Sequence, residues 1–102
     1  MKNLRIVAAV LPLLILAMPG WAAMDCSNPR SNAEKMLCSN SRLMRADEQL
    51  ALAYREAIRR GADPRDLIES QRTWIRDARD VCNDTECMLS AYRDRIGDLE
   101  GR

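Results

Sequence analysis

Between Asn40 and Gly61 the chain reads NSRLMRADEQLALAYREAIRRG, and this stretch decides the fold. Leu43, Asp47, Leu50, Tyr54, Ala57 and Ile58 recur at three- and four-residue steps, the period of a helix that buries one face. Asn40 or Ser41 offers a side-chain oxygen for the first free amides, and Gly61, just past Arg60, supplies the stop. Asp63, Pro64 and Asp66 then form a second start signal, with an N-cap, a proline at the first helical position and a carboxylate near the positive helix end. The helix that follows carries Leu67, Gln71, Trp74, Ile75, Ala78 and Cys82 along one stripe. Only a few residues separate the two helices, so they are expected to lie antiparallel as a hairpin. Such a hairpin sets Tyr54 near Gln71, Leu50 near Trp74 or Ile75, and Asp47 near Ala78 or Arg79.

Two further helices flank this pair. Upstream, Ser31 followed by Glu34 makes a capping box for a short helix with Ala33, Met36 and Leu37 on one side, ending near Cys38. Downstream, Asn83 with Glu86, or Asp84 alone, caps a helix whose stripe is Cys87 or Met88, Leu89, Tyr92, Ile96 and Leu99. The predicted fold is all-α: a small bundle of three main helices plus a short N-terminal helix, stapled by disulfides.

The first 23 residues stand apart. Lys2 and Arg5 precede an apolar run from Ile6 to Met18, followed by Pro19, Gly20 and small residues, which is the layout of a cleaved signal peptide. The run is shorter than the ~20 apolar residues that cross a bilayer, and Pro12 interrupts it. Cleavage after Ala22 or Ala23 leaves a helical domain over 24–102, with no permanent membrane anchor. A lipid-bearing form needs small residues before Cys26, and Asp25 occupies that place. The expected location is the periplasm or the exterior.

All four cysteines, Cys26, Cys38, Cys82 and Cys87, fall in the mature part, and an even number in an oxidising compartment argues for two bridges. With no histidine in the chain and no paired short knuckles, zinc is the weaker reading. A domain this short buries a modest core and gains from such staples. Folding the hairpin about its tip brings Cys38 to the same end as Cys82 and Cys87. Bridges joining the N-terminal pair to the C-terminal pair are favoured, because they clamp every helix at that end. The local pairing, Cys26 with Cys38 and Cys82 with Cys87, stays open.

Charge and chemistry narrow the function classes. Losing Lys2 and Arg5 takes the basic count from 16 to 14 against 15 acids, a nearly neutral domain that lacks the basic face nucleic acid demands. Absence of histidine removes the commonest general base, oxidised cysteines are not nucleophiles, and no glycine-rich phosphate loop is present. Asp77 and Asp80 alternate with Arg76 and Arg79 as a solvated charge lattice rather than a glycosidase pair. The reading is a non-enzyme without cofactor or metal. Asp47, inside an apolar stripe, needs a partner; Arg79 is the first candidate and Arg95 the second, making a polar lock that fixes helix register. Tyr54, Trp74 and Tyr92 are expected in the core, each polar tip finding a partner such as Gln71.

These markers, read in order, carry a resemblance. Asp25-Cys26, Glu34-Lys35 before Cys38, then Leu43, Asp47, Leu50 and Tyr54, then Gln71, Trp74, Arg79, Asp80 and Cys82, and finally Cys87, Tyr92, Arg95, Ile96 and Leu99 together resemble the LprI-like lysozyme inhibitor family of exported bacterial proteins. The resemblance implies a helical domain that binds a protein partner and inhibits c-type lysozyme. Inhibition asks for a group that enters a cleft lined by two carboxylates, and Arg59 and Arg60 at the hairpin tip are the candidates. The rival reading is a structural or adaptor module that binds another envelope protein through a helix face.

Overall fold

The structure, a computed structural model, describes residues 25–102. The expected signal peptide, residues 1–23, lies outside the described residues. Four helices follow in order: α1 (Asn32–Cys38), α2 (Ser41–Arg59), α3 (Pro64–Trp74), which continues as a π-helical turn over Ile75–Arg79, and α4 (Thr85–Leu99). Among the described residues there is no strand, and no helix is long and apolar enough to cross a membrane.

Each helix begins where a side chain satisfies amides that the helix itself cannot. Ser31 Oγ accepts from the Glu34 amide at 3.1 Å, and the Glu34 carboxylate reaches back to the Arg30 amide, one residue before the position an ideal capping box uses. Asn40 Oδ1 accepts from the Arg42 and Leu43 amides, Asp63 Oδ1 from Arg65, and Asp84 Oδ1 from Cys87. Gly61 ends α2 at φ +105°, a conformation that favours glycine.

The contacts along α2 and α4 fix their relative direction. Asn40 meets Thr85, Arg42 meets Glu86, Asp47 meets Tyr92 and Arg60 meets the end of α4 at Leu99, so the two helices run parallel. Helix α3 runs the other way, since Trp74 bonds to Ala91 and Arg95 to Ser70. The expected hairpin therefore has the right direction but not the closest packing, because α2 makes its nearest backbone approach to α4. The reason lies in α4, whose Met88 and Tyr92 are fully buried and drive it against the inner face of α2.

The core gathers Ala33, Leu37, Leu43, Leu50, Ala53, Tyr54, Ala57, Leu67, Cys82, Met88, Tyr92 and Leu99. One stripe assignment needs correction: Ile58 is exposed, because Ala57 beside it takes the inward position as the helix turns away. Of the two residues offered for the start of the α4 stripe, Met88 goes in and Cys87 lies outside. The favoured disulfide pairing is also overturned: the bridges are Cys26–Cys38 and Cys82–Cys87, the local pair that had stayed open. All four cysteines still collect at one end of the bundle, because parallel α2 and α4 both start there. Each sulfur is nevertheless bonded to its neighbour in sequence, with Cα separations of 5.6 and 5.5 Å.

Candidate functional site

Two polar constellations occupy the interior, and apart from Ser70 the residues that build them are ones the sequence singled out. The first centres on Tyr92, whose side chain is buried and whose hydroxyl donates to Asp47 Oδ1 at 2.7 Å. Arg79 stands beside the same hydroxyl, and its charge bears on both Tyr92 and Asp47. It forms its ion pair with Asp80, 2.9 Å away. The expected direct Asp47–Arg79 pair is thus replaced by an arrangement in which a phenol stands between them. Arg79 is held inward by the π-helical turn, closed by the Asp80 amide donating to the Ile75 carbonyl at 2.8 Å. The turn spans Ile75–Arg79, with a step of five residues where an α-helix takes four.

Burial governs the protonation of this group. Removal from water raises the Asp47 carboxyl above its ordinary value, against the opposing pull of the Tyr92 hydrogen bond and the Arg79 charge. Burial, followed by the nearby Asp47 charge, pushes the Tyr92 phenol far up, so it stays a donor across the whole physiological range. Burial works against the charge on Arg79, and the Tyr92 oxygen and Asp80 carboxylate outweigh it.

Trp74 closes this side of the core. Its indole Nε1 donates to the Ala91 carbonyl at 3.2 Å, and its ring meets that of Tyr92 edge to face with centroids 5.0 Å apart. The polar tips of Trp74 and Tyr92 are therefore held by α4 and by Asp47, not by Gln71.

Gln71 belongs to the second constellation. It is fully buried, and its Oε1 accepts from Arg95 Nε at 2.9 Å while an Arg95 Nη donates to Ser70 Oγ at 2.8 Å. Arg95 is only 8% exposed and carries no ion pair among the described residues. Burial lowers its pKa, with Asp98 and the Tyr54 hydroxyl acting in the opposite sense. Tyr54, buried on α2, thus stands within electrostatic reach of Arg95 as the hairpin geometry anticipates. The sequence offered Arg95 as the second candidate partner for Asp47; the structure bonds it instead to the neutral Gln71 and Ser70, which the stripe did not foretell.

The surface candidates behave differently from each other. Arg59 projects into solvent, 76% exposed, and pairs with Glu56 at 2.6 Å. Arg60 turns back to donate to the Leu99 carbonyl at 2.7 Å, capping the last turn of α4. Beside Arg59 lie Arg55 and the exposed apolar side chains of Leu52 and Ile58, which together form a shallow depression on the outer face of α2. Asp77 and Asp80 pair with their neighbours Arg76 and Arg79 and share no common site.

The Lysozyme inhibitor LprI family model matches residues 26–99. Lipoprotein LprI of Mycobacterium bovis and lipoprotein LprI of Mycobacterium tuberculosis are each 28% identical over 81 residues, a span covering 76% of this chain and 40% of theirs. The chain thus corresponds to less than half the length of these relatives. No solved structure matches it. The matched segment starts at the first bridge cysteine and ends at the last buried residue of α4, enclosing both interior constellations: the chain belongs to the LprI lysozyme inhibitor family.

Proposed function

We propose that this chain is an exported, non-catalytic protein that inhibits a c-type lysozyme or a related cell-wall hydrolase. The observation that carries the reading is the family match across residues 26–99. Two bridges support an extracytoplasmic setting, since such bonds persist where thiols are oxidised. Asp47 and Tyr92 are engaged with each other in the interior, and the exposed face of α2 is taken as the recognition surface.

The contact surface in this reading is the outer face of α2 around Leu52, Arg55, Ile58 and Arg59. Leu52 and Ile58 are 59% and 38% exposed, and apolar side chains at that exposure beside arginine are the composition of a recognition patch. Arg59 is the group offered to a carboxylate-lined cleft; Arg60, tied to Leu99, has the structural part instead. Clearing of a cell-wall suspension by lysozyme, followed with increasing amounts of the oxidised domain, tests the proposal. Inhibition is expected for the natural sequence, with at least a tenfold loss for Arg59→Glu, roughly the effect of one lost charge-assisted contact, and a comparable loss for Leu52→Asp, which sets a charge in the apolar patch. Complete clearing at large excess against every lysozyme type tried would remove the inhibitor reading and favour the adaptor alternative.

A further inference from the structure

At the end of the bundle opposite the disulfides, the α2–α3 turn and the C-terminal half of α4 enclose an open groove lined by Ala57, Arg60, Gly61, Leu67, Arg95 and Asp98, among others. Its chemistry is unbalanced. Arg95 is almost wholly buried, yet both of its hydrogen-bond acceptors, Gln71 Oε1 and Ser70 Oγ, are neutral. A buried guanidinium ordinarily has a carboxylate against it, because an uncompensated charge away from water is costly. Donors outnumber acceptors beneath the groove as well: Gln71 Nε2 is buried with no hydrogen-bond partner among the described residues. Arg60 adds a second guanidinium on the groove wall, and Asp98 supplies the one carboxylate. The lining therefore has a single net positive charge, further tempered by the negative end of α4. That balance suits one monoanion and disfavours a doubly charged phosphate group.

We propose that this groove is a binding site for a single carboxylate, held by Arg60 and Arg95. The chemistry is the same whether the carboxylate belongs to a small free acid or to an acidic side chain of a docked protein. The site is separate from the outer face of α2 and does not rest on the inhibitor reading. Planar guanidinium groups match a carboxylate with paired donors, which a lysine in either place would not reproduce.

The test uses the oxidised domain, isotopically labelled, with the Arg95 Nε–H resonance followed by NMR while sodium acetate is added at constant ionic strength set by sodium chloride. A saturable shift of that resonance and of the Gly61 and Leu67 amides is expected, with Arg60→Gln weakening the binding about tenfold, the effect of one charge-assisted hydrogen bond. Arg60 lies at the surface end of the groove, so its replacement leaves the core in place; an unchanged amide spectrum elsewhere verifies this. A glutamate tripeptide with both termini blocked forms the second arm. Saturable binding of both ligands assigns the groove to acidic side chains as well as free acids, and binding of acetate alone assigns it to free acids. Shifts that sodium chloride reproduces, or equal affinity in Arg60→Gln, would overturn the proposal.

Discussion

At the residue scale, Asp47 is the side chain whose environment makes the sharpest demands. Its carboxyl binds a proton more tightly in the fold than its ordinary value of 3.8, because burial outweighs the Tyr92 bond and Arg79. Its contribution to stability is therefore greatest below that ordinary value and is lost as the pH rises through the higher folded value. Exposed carboxylates at Asp25, Glu56 and Asp77 are shifted the other way, by Ser27, Arg59 and Arg76 respectively, so the Asp47 contribution is isolated by comparison with a variant. Asp47→Asn keeps an acceptor for Tyr92 and removes the charge; it should flatten this part of the stability profile and leave the neutral-pH melting temperature equal or higher. Asp47→Ala strips the fully buried Tyr92 hydroxyl of its carboxylate and should cost about 1–2 kcal/mol at neutral pH in denaturant titration. A second residue-scale prediction concerns Gly97, inside α4 with nothing within 4 Å of the place a Cβ would take. Gly97→Ala should stabilise the domain by about 0.5–1 kcal/mol in the same titration. The need of Asp47 for a partner was legible from its place between Leu43 and Leu50, whereas the interposed phenol was not, because a stripe shows which residues face inward and not the order in which they touch.

At the scale of elements, helix starts were readable because each is announced by a local oxygen donor–acceptor match at Ser31, Asn40, Asp63 or Asp84. The π-helical turn had no such announcement. A single added residue leaves no composition signal: the stripe carried Ala78, Arg79 was expected inward only as the partner of Asp47, and the wide turn that leaves both half-buried was not read from either. This has a direct test by deletion. Removing Asp77, an exposed residue of that turn, converts the five-residue step from Trp74 to Arg79 into the four residues of an ordinary α-helix. The shortened chain should fold, keep Arg79 against Tyr92 and retain a cooperative melting curve. Removing Arg72, equally exposed but in the regular part of α3, rotates the following residues by about 100° and should abolish cooperative unfolding. Loss of folding in the Asp77 deletion would show that the wide turn is needed for its own sake.

For the whole molecule, the all-helical class and the gathering of the cysteines at one end were readable, while the closest helix pair and the bridge partners were not. The two have different origins: a short connection argues for α2 beside α3, whereas the large buried side chains Met88 and Tyr92 bring α4 against α2. Gathering four cysteines at one end does not say which two join, so the local pairs form although a clamp across the helices was favoured. Neither bridge crosses from one long helix to another, so the contacts between α2, α3 and α4 are entirely non-covalent. Closing loops of this size stabilises by about 2–3 kcal/mol per bridge in a chain-entropy account. Reduction should accordingly lower the melting temperature in calorimetry while leaving a helical far-ultraviolet spectrum at low temperature; immediate loss of all helix on reduction would mean that the apolar interior is weaker than its packing suggests.

The order of the sulfurs along the chain has a consequence for biogenesis. Each cysteine bonds to its neighbour in sequence, Cys26 to Cys38 and Cys82 to Cys87, so for a chain exported N-terminus first, joining thiols in order of arrival would make the native links. The reduced domain should accordingly regain both links on addition of an oxidant without an isomerase, as trapping of free thiols followed by peptide mapping would check.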